Sequence, residues 1–184
     1  AHTLEAVKNF AFERGRTNVI LRSQPLLSDK NRQFIDTRRS LADAAIAAAL
    51  ADLPASLAST GKTVQLAWEH SKALRQEAER DFLLPLEARD PALPAKWFAA
   101  ASELINHLES MLIAVSRVPD ADSTYDQLSA LRIYALQFRN LIGSESTHLA
   151  AELSAQTPPA YGKTIQIYTL RGRSTQLWGQ IESG

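Results

Sequence analysis

Val7-Lys8-Asn9-Phe10-Ala11-Phe12-Glu13-Arg14-Gly15-Arg16-Thr17-Asn18-Val19-Ile20-Leu21 is the stretch whose reading decides the fold. Val7, Phe10, Arg14, Thr17 and Leu21 recur at spacings of 3, 4, 3 and 4, which is the seam of a helix packed in a bundle. Two of those five seam positions are polar. A guanidinium in a dry core must find a partner, because an isolated buried charge is very costly. Gly15 costs a helix interior about 1 kcal/mol relative to alanine, so close approach of another group is expected there. Departures from local rules of this kind point to a functional site.

Outward from that stretch, helical period dominates and strand alternation is absent. The eight prolines fall in gaps, at positions 25, 54, 85, 91, 94, 119, 158 and 159, and helices tend to end before proline. The pattern predicts six helices: 4–23; a second from the N-cap Ser28 to 53; 62–84, following Gly61; 95–117; 124–156; and 160–182. The fourth has the cleanest seam, Trp97, Ala101, Leu104, Leu108, Met111 and Val115. The sixth aligns Ile167, Leu170, Ser174, Leu177 and Ile181. Helices near this length span about 35 Å at 1.5 Å per residue. Joined by short connections, they predict an all-α, elongated up-and-down bundle around a four-helix core. An even number of helices would bring both termini to the same end. The chain reads as a single domain, 1–184. A weak internal repeat of helical hairpins relates 4–50 to 124–182, through Thr17 with Thr147 and Ile35-Asp36-Thr37-Arg38-Arg39 with Ile167-Tyr168-Thr169-Leu170-Arg171.

The 184 residues can bury a sizeable core. Lys plus Arg and Asp plus Glu are 20 each, a balance that argues against nucleic acid as the main partner. The absence of cysteine excludes disulfides, thiol catalysis and thiolate metal sites. No apolar run reaches the roughly 18 residues of a membrane span. The chain begins in helical character at Ala1-His2-Thr3-Leu4, as a segment of a longer protein would.

Three helices carry a polar residue in a predicted seam. These are Arg14 with Thr17, Arg38 within Phe34, Arg38, Leu41 and Ala45, and Glu145 within Phe138, Ile142, Glu145, Leu149 and Leu153. One reading is a ligand pocket between helices, lined by Arg14, Thr17, Arg38 and Glu145. A guanidinium offers a rigid fork of donors suited to a small oxyanion. The other is internal pairing, Arg14 with Glu145 or Arg38 with Asp36, and no ligand. Catalysis has little support, and no enzyme activity, cofactor or metal is expected. Gly61-Lys62-Thr63 and Gly162-Lys163-Thr164 lack the earlier glycine of a phosphate loop, with Ser56 and Thr157 in its place. His2, His70, His107 and His148 are scattered. Glu145, His148 and Glu152 share a helix face but read as solvated. A cytoplasmic phosphotransfer or adaptor bundle, with His70 as its histidine, is the alternative class.

Phe12-Glu13-Arg14-Gly15-Arg16-Thr17-Asn18-Val19-Ile20-Leu21, with Asn31-Arg32 and Arg38-Arg39-Ser40-Leu41-Ala42-Asp43-Ala44-Ala45-Ile46, resembles the opening helical hairpin of the nitrate- and nitrite-sensing (NIT) family and related bacterial sensor domains. Phe138-Arg139-Asn140-Leu141-Ile142-Gly143-Ser144-Glu145-Ser146 is similar to a later segment of that family. The resemblance implies an extracytoplasmic (periplasmic) input domain of an inner-membrane receptor, flanked by two transmembrane helices. It also implies a homodimer and an output domain that is a histidine kinase, chemoreceptor or cyclic-nucleotide enzyme. The ligand would be a small anion or polar small molecule, gripped by Arg14 and by Arg38 or Arg39.

Overall fold

Apolar residues at helical period, punctuated by proline and N-capping serine, lead to the helices that the computed structural model shows. It describes residues 2–23, 27–117, 124–155 and 161–183, with the backbone alone for 124–132, 151–155 and 183. The helices are α1 (His2–Arg22), α2 (Asp29–Ala51), α3 (Ala58–Phe82), α4 (Leu93–Ser116), α5 (Thr124–Ala155) and α6 (Tyr161–Ser183). Short 3-10 turns, Ala55–Leu57 and Leu86–Ala88, follow Pro54 and Pro85. Among the described residues the protein is all-α, and its helices pack as a bundle. No single described helix is long and apolar enough to cross a membrane. Ala1, Gly184 and the prolines at 25, 119, 158 and 159 lie outside the described residues.

The helix boundaries follow from local chemistry. Ser28 caps α2, its hydroxyl accepting from the Asn31 amide at 3.3 Å. Helix α3 begins at Ala58, four residues before the expected start. Gly61 is therefore an interior residue rather than a boundary. It is buried where α3 leaves α2, and a methyl group there would meet Leu53 Cδ2 at 2.7 Å. The glycine marks a close approach of chains, not a helix start. Before α4, the Asp90 carboxylate accepts from the Ala92 amide at 2.8 Å, and Asp81 Oδ2 accepts from the Asp90 amide at 3.0 Å. At the end of α1, the buried Arg89 guanidinium donates to the carbonyls of Ile20 (2.7 Å), which also accepts from the Ser23 amide, and of Ser23 (3.1 Å), setting a cation against the C-terminal carbonyls of the helix.

The chain divides into two compact units, Ala1–Val115 and Ser116–Gly184. In the first, α1 is packed on more than one side. Phe10 meets Trp97 of α4 with ring centroids 6.1 Å apart, and Arg75 of α3 lies over the same Phe10 ring. All five α1 seam residues, Val7 to Leu21, are buried. So is the expected α4 seam, except Val115. The α2 seam is one residue away from expectation. Leu41 is 44% exposed, and the buried stripe is Ile35, Ala42, Ile46 and Ala49, joined by Ala45. With Ile35, Ala42, Ile46 and Ala49, the 4, 3, 4, 3 spacing passes through Arg39, not Arg38.

The second unit is the α5–α6 hairpin. Phe138 packs on Trp178 with centroids 5.2 Å apart, and Leu136, Thr147, Ile167, Ser174 and Leu177 are buried. Ile142, placed in the α5 seam by the sequence, is exposed. Leu153 and Glu152 are outside the side chains described.

Candidate functional site

Helix α1 buries polar groups toward two different neighbours. Toward α2 and α3 it presents Glu13, which is fully buried. Glu13 Oε1 accepts from Arg39 Nε and Arg75 Nε, each at 2.8 Å, and Oε2 accepts from Arg75 Nη2 at 2.7 Å. Arg75 Nη1 continues to both oxygens of Asp43 at 2.8–2.9 Å. The Trp68 indole also donates to Asp43, at 2.8 Å. Arg39 Nη1 reaches Glu79 Oε1, and Arg32 Nη1 binds the other oxygen of Glu79. The arrangement holds three carboxylates and three guanidinium groups, so its charge closes on itself. Burial alone would lower the pKa of Arg75, but Glu13 and Asp43 outweigh it and hold that pKa above the ordinary arginine value. A charge-balanced network of this kind is a scaffold element, with Arg39 Nη2 its one buried donor left without a hydrogen bond among the described residues.

Glu79 makes part of that scaffold sensitive to acid. Burial pushes its carboxyl up, yet the hydrogen bonds from Arg32 and Arg39 win and hold it below the usual glutamate range. A folded value below the unfolded one stabilises in full above the unfolded-chain value of about 4.3, and that stabilisation drains as pH falls through the folded value. We expect the urea midpoint of the wild type to fall more steeply than that of Glu79→Gln below about pH 4.3, the two curves converging in acid. Parallel curves would mean that Glu79 gains nothing from its arginines.

Toward α4, α1 presents Arg14, and Thr17 follows it one turn later on the α1 seam. Arg14 is 2% exposed and Thr17 fully buried. Arg14 Nη1 donates to Ser102 Oγ at 3.0 Å, and its guanidinium carbon lies 4.9 Å from the centre of the Phe98 ring. Ser102 passes the bond on to the Phe98 carbonyl at 2.7 Å. The Trp97 indole donates to the Arg14 carbonyl at 3.1 Å, which fixes α4 against α1 at this level. The Thr17 hydroxyl is buried without a hydrogen-bond partner. Chemically, α1 offers a buried guanidinium and, one turn along, a buried hydroxyl without a partner, and both are groups that can donate to an oxyanion.

Arg38 and Glu145, the other expected site residues, each have partners within their own unit. Arg38 is half-buried against the α1–α2 hairpin, its Nη1 donating to Asn9 Oδ1 at 2.9 Å. Asp36, its suggested partner, is exposed. Glu145 belongs to the second unit and accepts from Arg171 at 2.7–2.8 Å. Arg14 and Thr17 are both buried one turn apart on α1, and Arg38 and Glu145 each have a partner of their own. His70 is exposed on α3. Among the described residues no group of three or more His, Asp or Glu could hold a metal ion.

Sequence reading missed Glu13, Asp43, Arg75, Glu79 and Ser102. A signal for most of them was present. Asn9 and Glu13, Arg39 and Asp43, and Arg75 and Glu79 are each four residues apart, so three helices each set two polar groups on one face. In comparisons with known proteins, the chain matches no protein-family model, no curated protein and no solved structure.

Proposed function

We propose that this chain is a non-catalytic, ligand-sensing input domain that takes a small anion or polar metabolite between helices α1 and α4. The observation that carries this reading is the fully buried Thr17 hydroxyl, left without a hydrogen bond one turn from the buried Arg14. An unsatisfied buried hydroxyl costs about 1–3 kcal/mol, and a ligand oxygen between Thr17 and Arg14 would recover that cost. A ligand there would bias the packing of α4 on α1 through its differential affinity for two arrangements. Helix shifts of about 1–2 Å are enough to carry such a signal. The resemblance of Phe12–Leu21 and Arg38–Ile46 to the NIT family supports a bacterial receptor. In that setting the domain is periplasmic and dimeric and lies between two transmembrane helices.

Thr17→Val tests the reading with two opposite signs. The isosteric change removes the unsatisfied hydroxyl, so the ligand-free protein should gain about 1 kcal/mol. The same change should remove the melting-temperature rise that sodium nitrate, phosphate or a small carboxylate produces in the wild type. Loss of stability in the variant, or the absence of any anion shift in the wild type, would count against a site.

One observation favours a phosphotransfer bundle as a second reading: His70 is exposed, with exposed Leu66 one turn before it on α3. Under that reading a phosphorylated receiver domain transfers label to the wild type and not to His70→Gln.

A further inference from the structure

Arg38 is paired by the structure with Arg16 rather than with Arg14. The two helices of the α1–α2 hairpin carry the same pattern: Phe12, Arg16 and Val19 on α1, and Phe34, Arg38 and Leu41 on α2, each at i, i+4 and i+7. The hairpin is antiparallel, so each arginine reaches the phenylalanine of the other helix. The Arg38 guanidinium lies 4.8 Å from the Phe12 ring centre, and that of Arg16 lies 5.0 Å from the Phe34 ring centre. Arg38 also stacks on Phe34 at 5.1 Å, and the two rings meet edge-on at 6.3 Å. Phe12, Val19 and Leu41 are exposed.

Among the described residues, no carboxylate forms an ion pair with Arg16 or Arg38 on this face. Among the described residues, Arg16 donates only to the amide oxygen of Asn31, at 3.3 Å, and Arg38 to that of Asn9, leaving its buried Nε unpartnered. Glu5, whose carboxyl feels Arg38, is already held by Asn9 and Lys8. By contrast, Arg32, Arg39 and Arg75 are all bound to carboxylates. Rings that fix the guanidinium planes reduce the rotamer entropy lost on binding. Exposed phenylalanine and arginine together also have the composition of an interface centre.

We propose that the Phe12–Arg16 and Phe34–Arg38 face of the α1–α2 hairpin docks an acidic amphipathic helix of a partner protein. The charge complement is direct: carboxylates one turn apart on the partner helix lie on one face, as Arg16 and Arg38 do here. The i, i+4, i+7 stripes run for two turns along each helix, a length that suits a helix lying along the hairpin. A free anion would engage the guanidinium tips and cover none of the exposed apolar surface of Val19 and Leu41. This inference is independent of the Arg14 and Thr17 reading, and either can fail while the other stands.

The test uses the full chain and two synthetic helical peptides, one with leucines on one face flanked by glutamates, the other with lysines replacing those glutamates. Fluorescence anisotropy should show binding of the acidic peptide and none of the basic one. Raised salt should weaken the binding. Arg16→Gln with Arg38→Gln should weaken it about tenfold or more. Arg16 is exposed, so Arg16→Gln alone keeps the fold and should cost a smaller factor. Arg16→Glu should gain affinity for the basic peptide. No binding up to about 1 mM, equal binding of both peptides, or acidic-peptide affinity unchanged in the double variant would overturn the proposal. So would full displacement of the acidic peptide by equimolar phosphate, which assigns the face to a small anion, or self-association of the chain through it.

Discussion

Glu13→Ala should be among the most damaging single substitutions in the first unit, costing roughly 3–5 kcal/mol. The carboxylate is fully buried and receives three hydrogen bonds from Arg39 and Arg75. Its removal leaves Arg75, itself buried against Phe10, with a charge that only the half-buried Asp43 can answer. Native stability is typically about 5–15 kcal/mol, so the variant should lie near its unfolding threshold at 37 °C. Urea denaturation followed by tryptophan fluorescence will read this, since Trp68 and Trp97 both lie in the unit. A second variant separates attraction from desolvation. Glu13→Leu combined with Arg75→Met removes both buried charges, leaves Arg39 to Glu79, and should recover much of the loss. If the double variant is no more stable than Glu13→Ala, the pair stabilises by attraction rather than by relieving an orphaned charge.

That outcome bears on why the sequence revealed Arg14 and not Glu13. A 3, 4, 3, 4 seam assumes that a helix buries one stripe, and Arg14 and Thr17 fall on it. Helix α1 instead meets α2 and α3 on one side and α4 on another, so Asn9, Glu13 and Asn18 are buried outside the seam. Periodicity cannot report a second buried face made of polar residues, because hydrophobicity is the quantity that it tracks. On α2 the same limitation shifted the seam by one residue. Phe34 and Leu41 have the hydrophobicity of core residues, yet they accompany Arg38 on the hairpin surface, while Ile35, Ile46 and three alanines are the buried residues of α2. Six helices, their order and the Ser28 cap were legible because proline, serine and long apolar periods are local signals. The ion network was not, since its members come together only after three helices have packed.

Trp97 carries the second large prediction, and it links stability to the site. The side chain is fully buried, packs on Phe10, and donates its indole N–H to the Arg14 carbonyl. Trp97→Ala should cost about 3–5 kcal/mol, as large-to-small changes of buried aromatic residues do. Trp97→Phe is the more informative variant. It keeps most of the buried apolar surface and loses the hydrogen bond that sets α4 against α1, at a cost of about 1 kcal/mol for the bond plus a smaller packing loss. Phe98 and Ser102, which hold the Arg14 guanidinium, follow Trp97 directly and by five residues on the same helix. If the anion sits between α1 and α4, Trp97→Phe should weaken it in isothermal titration calorimetry by more than tenfold while the variant remains folded, because a loosened helix no longer pre-positions the donors. Unchanged affinity in Trp97→Phe would mean that Arg14 does not depend on the α1–α4 register. The Trp97 bond would then belong to folding alone.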